Sequence, residues 1–172
     1  MNPTARLFLR ILPFGLLLGA SPILPAAPPD AKSLPEELGI TRGVICLLGN
    51  PETGSRYVTD LAESSELTVF VQAPDPETAD QIRRESGKKQ LLGRRVFVAE
   101  GTGRIQLADN VADGIIVFEG NKVSREECLR AIRPRAVARL AGGEKLTKPV
   151  PDGYDDWTHP FHRPDNNPQS RD

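Results

Sequence analysis

The residues best placed to do chemistry sit in one glycine-rich stretch, one histidine pair and two cysteines. Gly49-Asn50-Pro51-Glu52-Thr53-Gly54-Ser55-Arg56 follows the apolar run Val44-Ile45-Cys46-Leu47-Leu48, the position at which α/β proteins commonly hold a ligand. Its two glycines have the separation of a phosphate-binding loop, but Ser55 and Arg56 stand where lysine and a hydroxyl residue belong. Without that lysine no point charge holds the terminal phosphates, which argues against a nucleoside triphosphate. A dinucleotide fingerprint fails as well. Pro51 takes the place of its second glycine and blocks close approach of the backbone to a pyrophosphate. His159 and His162 lie near Asp155 and Asp156. Their spacing is short and no further histidine or cysteine supports them, so the reading is no metal site. Cys46 falls in an apolar run and Cys128 on a helical face, without a histidine nearby in sequence. Both read as core residues rather than as a disulfide or a nucleophile.

Composition narrows the function classes. The 172 residues carry 22 Lys plus Arg against 23 Asp plus Glu, a net charge of -1. A nucleic-acid groove normally shows a basic excess. Aromatic residues make up 5%, too few for a base-stacking platform. With 38% hydrophobic residues the chain can bury one core, and it is too short for two ordinary domains.

The N-terminus reads as an address. Arg6 and Arg10 precede the apolar run from Ile11 to Ala20, followed by small residues and prolines from Ser21 to Ala27. That is the order of a secretory signal peptide. The run is about half the length a membrane-crossing helix needs. Residues 1–27 are therefore expected to direct export, periplasmic or secreted, and to leave no stable membrane span once cleaved. Pro28, Pro29 and Pro35 make 28–40 a stiff linker.

Between 41 and 145 the pattern alternates. Val44–Leu48 predicts a strand buried on both faces. Tyr57, Val58, Leu61 and Ala62 predict a helix over Thr53–Ser64. Leu67–Val71 predicts a second strand. Asp75 reads as an N-cap, Pro76 as the first helical residue and Gly87 as the exit. Arg95–Ala99 and Gly114–Phe118 predict the third and fourth strands. Ser124 and Glu127 read as a capping box opening a helix that Pro134 ends, and Ala136–Leu140 as the fifth strand. This order implies an α/β fold, a mostly parallel five-stranded sheet flanked by helices with right-handed crossovers. The first strand would lie at the switch in strand order, so that Gly49–Gly54 faces any ligand.

These residues in this order resemble the class I adenosylmethionine-dependent methyltransferases, a Rossmann-like family. Leu48-Gly49-Asn50-Pro51-Glu52-Thr53-Gly54 stands at the family's glycine-rich motif. Gln106–Val117 resembles its fourth-strand region, and Leu129-Arg130-Ala131-Ile132-Arg133-Pro134 the segment before its fifth strand. The resemblance implies that Gly49, Asn50, Glu52, Gly54, Asp75 and Thr102 would touch S-adenosylmethionine; it assigns no catalytic residue. Departures are equally visible. Pro51 removes an amide donor. Gln72-Ala73 ends the second strand where the family often has a ribose-binding acid, and Asp75 comes late and doubles as an N-cap. Glu100-Gly101-Thr102 stands where an acid near the adenine is common. The pattern offers no counterpart of the family's sixth and seventh strands.

The tail completes the resemblance. Lys148-Pro149 with Asp155-Asp156-Trp157-Thr158-His159 and Asp165-Asn166-Asn167 resembles the junction in exported bacterial proteins, planctomycete ones among them, where a methyltransferase-like domain precedes a quinoprotein-like (PQQ) β-propeller. On that reading 146–172 is a junction to a propeller, either C-terminal or separately encoded, and PQQ would belong only to the propeller. Trp157 and Phe161 would anchor on that domain or fold back on an exposed sheet edge. The expected function is a degenerate methyltransferase-like module that binds or scaffolds. The alternatives are an active S-adenosylmethionine-dependent methyltransferase and an unrelated exported α/β ligand-binding domain.

Overall fold

A computed structural model describes residues 30–51 and 53–152. The expected signal peptide, Glu52 and the tail from residue 153, with Trp157, His159 and His162, lie outside the described residues.

The elements follow the expected alternation: α1 (Leu34–Leu38), β1 (Arg42–Leu48), α2 (Ser55–Ser64), β2 (Glu66–Ala73), α3 (Pro76–Lys88), β3 (Val96–Glu100), β4 (Ala112–Val117), α4 (Arg125–Ala131), β5 (Ile132–Arg139) and β6 (Lys145–Thr147). The strands form one sheet in the order β3-β2-β1-β4-β5-β6. β1 lies between β2 and β4 and pairs parallel with both, so the order reverses at β1. The last strand, β6, runs antiparallel to β5.

Period-2 alternation along β1 sorts its side chains between two cores. Ile45 and Leu47 join Tyr57, Val58 and Leu61 of α2, Ile82 of α3 and Leu34 and Leu38 of α1. Cys46 and Leu48 join Ile115, Val117, Cys128, Ala131 and Ile132 on the side of α4. Both cysteines are buried and free. Burial pushes both thiols up, Cys128 to about 11, which suits packing rather than nucleophilic chemistry.

The structure corrects several local expectations. The sheet has six strands, because β5 turns back at Leu140–Glu144, where the Leu140 amide bonds the Glu144 carbonyl at 2.8 Å, and β6 pairs with it. β6 thereby runs past the boundary expected at 145, and α1 falls within the expected linker. Gly87 lies inside α3. The chain leaves the helix later, with Gln90 in the left-handed region at φ 57°, because the Leu91 amide still bonds the Ser86 carbonyl and Leu91 packs on the core. Pro134 does not stop a helix; it lies within β5. Ala112 pairs with Ile132, whereas Gly114 pairs with Val137, so β5 carries a bulge over the intervening residues. That bulge accommodates a residue with no amide to donate, and Arg135 within it sits at φ 68°. The capping box is half formed. Ser124 Oγ accepts from the Glu127 amide at 3.2 Å, but the Glu127 carboxylate accepts from the Ile105 amide and from Arg130.

Candidate functional site

In a parallel sheet the loops at the carboxyl ends of the strands converge where the strand order reverses. Leu48 stands in register with Gln72 on β2 and with Val117 on β4, and Ala73 with Glu100 on β3. Gly49–Gly54, Asp75, Gly101–Thr102 and Phe118–Asn121 therefore share one edge. The structure brings the expected site residues onto that edge, Glu52 aside, and shows what most of them already do.

The turn after β1 is tied to its neighbours. The Gly49 amide donates to the Gln72 carbonyl at 3.0 Å, and the Phe118 amide to the Leu48 carbonyl at 2.9 Å, extending the sheet one residue on each side. The Gly54 amide donates to the Pro51 carbonyl at 2.7 Å. Two glycine amides are thus engaged within the protein, and Pro51 has none to offer. Gly49 sits at φ 104°, and a Cβ there would lie 3.4 Å from Phe118 Cβ and 3.6 Å from Asn121 Cβ. Glycine is needed at this position because the backbone conformation is left-handed and the loop after β4 lies against it. Asn50 is exposed.

An aromatic pair lies behind the turn. The Tyr57 and Phe118 rings meet edge-to-face with centroids 5.5 Å apart. Burial holds the Tyr57 phenol well above its usual range, and its hydroxyl finds no partner among the described residues. Asn121 is the residue that sequence reasoning missed. Its Oδ1 accepts from the Val123 amide at 2.9 Å, while its buried Nδ2 has no acceptor among the described residues and lies next to Gly49. Nothing in its sequence context, Glu119-Gly120-Asn121, separates it from an ordinary turn.

The positions that the resemblance expects near a ribose and an adenine are engaged too. Gln72 is fully buried. Its Nε2 donates to the Arg104 carbonyl at 2.8 Å and to the Gly101 carbonyl at 3.2 Å, and its Oε1 accepts from the Gln106 amide at 2.9 Å. This side chain binds the loop between β3 and β4. Asp75 is the N-cap of α3, accepting from the Thr78 amide at 2.8 Å and from Thr78 Oγ1 at 2.9 Å. Those bonds hold its carboxyl below the usual carboxylate range. Glu100 pairs with Arg83 of α3 at 2.9 Å. Thr102 is exposed in the loop that Gln72 holds. Among the described residues no cluster of His, Cys, Asp and Glu could hold a metal ion, and no helix is long and apolar enough to cross a membrane.

Across the sheet, Arg130 performs a similar binding role. It donates to Glu127 at 2.7 Å and 2.9 Å, to Asp109 at 2.6 Å and to the carbonyls of Ile105 and Leu107. Glu127 is held below its usual range chiefly by Arg130. Residues 104–109 are thereby fixed to α4.

The sequence matches no protein-family model and no curated protein. Solved structures do match the fold. A protein of Methanococcus maripaludis assigned as an S-adenosyl-L-methionine-dependent methyltransferase superposes with a TM-score of 0.55 at 18% identity, covering 64% of this chain and 52% of its own. A SAM-dependent methyltransferase from Aquifex aeolicus gives 0.51 at 21%, covering 63% and 61%. A [4+2]-cyclase gives 0.53 at 15%, covering 63% and 42%. The chain spans about half the length of these proteins. It has the Rossmann-like α/β fold of the class I S-adenosylmethionine-dependent methyltransferases.

Proposed function

We propose that the chain is a degenerate methyltransferase-like module of an exported protein, acting by binding or scaffolding beside a β-propeller rather than by methyl transfer. The observation that carries this reading is the engagement of the ligand-facing edge. Gln72 stands where an acid would hold ribose hydroxyls and is occupied by three hydrogen bonds to the β3–β4 loop. Asp75 caps α3 and Glu100 pairs with Arg83. Micromolar affinity corresponds to about 8 kcal/mol, and each hydrogen bond forgone removes about 1 kcal/mol of it, more where a charged group takes part. The fold itself does not dictate methyl transfer, and one neighbour is a cyclase.

Export rests on the order of Arg6, the apolar run and Ala27; the propeller partner rests on the tail motif from Lys148 to Asn167. Adenosylmethionine is made in the cytosol, so an exported enzyme would meet little of it. Titration calorimetry of the purified chain with S-adenosylmethionine tests the degenerate reading, which expects no saturable heat at micromolar concentrations. A low-micromolar dissociation constant would establish the active-enzyme reading instead. N-terminal sequencing tests export. A start between roughly residues 21 and 28 in the secreted or periplasmic fraction is expected, and an intact Met1 in the cytosol would overturn it.

A further inference from the structure

The face of the sheet that carries α4 is covered by a helix on one half only. Cys46, Leu48, Ile115 and Val117 are buried there. The connection from β3 to β4 forms no helix; its loop covers Gln72 at the carboxyl end of β2, and on this face no helix lies over the middle of β2 and β3. Phe70 pairs with Phe97 across those strands and with Cys46 across β1, which places all three side chains on this face. Phe97 is 42% exposed and Phe70 only partly buried. Two adjacent phenylalanines, Phe97 on the edge strand β3 and Phe70 beside it on β2, form an apolar patch of the kind that marks a contact surface.

We propose that this patch is covered by the chain's own segment Tyr154–Phe161, with Trp157 and Phe161 packed on Phe97 and Phe70. The course of the described chain supports this choice. β6 returns the backbone to the amino edge of the sheet. There Lys148 Nζ donates to Asn110 Oδ1 at 2.6 Å and to the Ile132 carbonyl at 3.0 Å, and lies 3.4 Å from the Arg130 carbonyl at the end of α4. Lys148, bonded beside β5, thus stands at the amino edge with its side chain on the α4 side, the side of the patch. From β6, which Lys148 continues, to β3 there are five strand spacings, about 24 Å. Nine residues separate Lys148 from Trp157 and thirteen separate it from Phe161, extended reaches of about 30 and 45 Å. Pro149 and Pro151 bias the exit toward extended backbone. Tyr154, Trp157 and Phe161 are the only aromatics after Phe118, and an aromatic face is the natural partner for them. This inference does not depend on whether the cofactor edge is functional.

Trp157 is the only tryptophan of the chain, so its emission in the full chain reports on docking directly. The expected result is a blue-shifted emission, poorly quenched by acrylamide and independent of protein concentration. Phe97→Asp should return the emission to that of a solvated indole while the far-ultraviolet circular dichroism stays unchanged. Solvent-like emission in the unaltered chain would overturn the proposal, leaving the segment for a following domain. So would a blue shift that survives Phe97→Asp, or one that appears only as concentration rises, which would assign the patch to a second copy. Should Phe97→Asp fail to fold, nuclear Overhauser contacts between the Trp157 indole and the Phe70 and Phe97 rings decide the matter: their presence supports the proposal and their absence overturns it.

Discussion

The two faces of this sheet solve the same problem differently. On one face α1, α2 and α3 lay continuous apolar surface over β1, β2 and β3, and Leu61, Val69, Val71 and Ile82 are fully buried between them. On the other, α4 packs with β4, β5, β6 and part of β1, and the long β3–β4 connection, though it buries Ile105, is held by polar side chains at both ends. Gln72 holds it at one end, and Arg130 with Glu127 at the other. The difference bears on function. Where a helix is absent, polar side chains secure the loop, and the one at the carboxyl edge, Gln72, stands where the methyltransferase resemblance would place a cofactor contact.

Substitutions should rank accordingly. Leu61→Ala on the helix-covered face opens a cavity under α2 and is expected to cost about 3 kcal/mol or more, read as a lowered urea midpoint. Gln72→Ala removes three buried hydrogen bonds and leaves loop groups without partners. It is expected to cost about 2 kcal/mol, with accelerated amide exchange confined to residues 101–107. Equal exchange across the whole sheet would show that Gln72 supports the core rather than the loop. Arg130→Ala should cost about 1–2 kcal/mol, discounted because the Arg130 side chain is 22% exposed, and should loosen residues 104–109 in the same assay.

The pH response sharpens the comparison further. Asp75 and Glu127 are both held below their ordinary values. Their contribution to stability is therefore complete above the ordinary carboxylate range and is lost as pH falls through their lowered values. Glu127→Gln should flatten that acid limb, measured as thermal midpoint against pH between 5 and 2 (a window set at about the carboxylate range). Asp75→Asn retains an N-cap acceptor and should produce the smaller change at neutral pH.

Much of this architecture was legible from residue types. Val44–Leu48 and Gly114–Val117 announced central strands because burial on both faces removes polar residues. Asp75-Pro76 announced a helix start because Asp caps and proline suits the first turn. Pro134 misled because a proline reads as a helix stop, and only pairing with β4 reveals a bulge that tolerates it. β6, three residues long, carries too little pattern to be seen apart from β5. The spacing of Gly49 and Gly54 marked a turn after β1, whereas the engagement of their amides was not legible. The roles of Gln72 and Asn121 depend on contacts with residues 101–106 and Gly49, separations that no local pattern encodes.

The carboxyl edge is committed to structural contacts. Amide NMR of the full chain titrated with S-adenosylmethionine tests it residue by residue. The account predicts no saturable shift at Gly49, Asn50, Gly54, Asp75, Thr102 or Asn121 at ligand concentrations in the micromolar range. Saturable shifts clustered on those residues would contradict it.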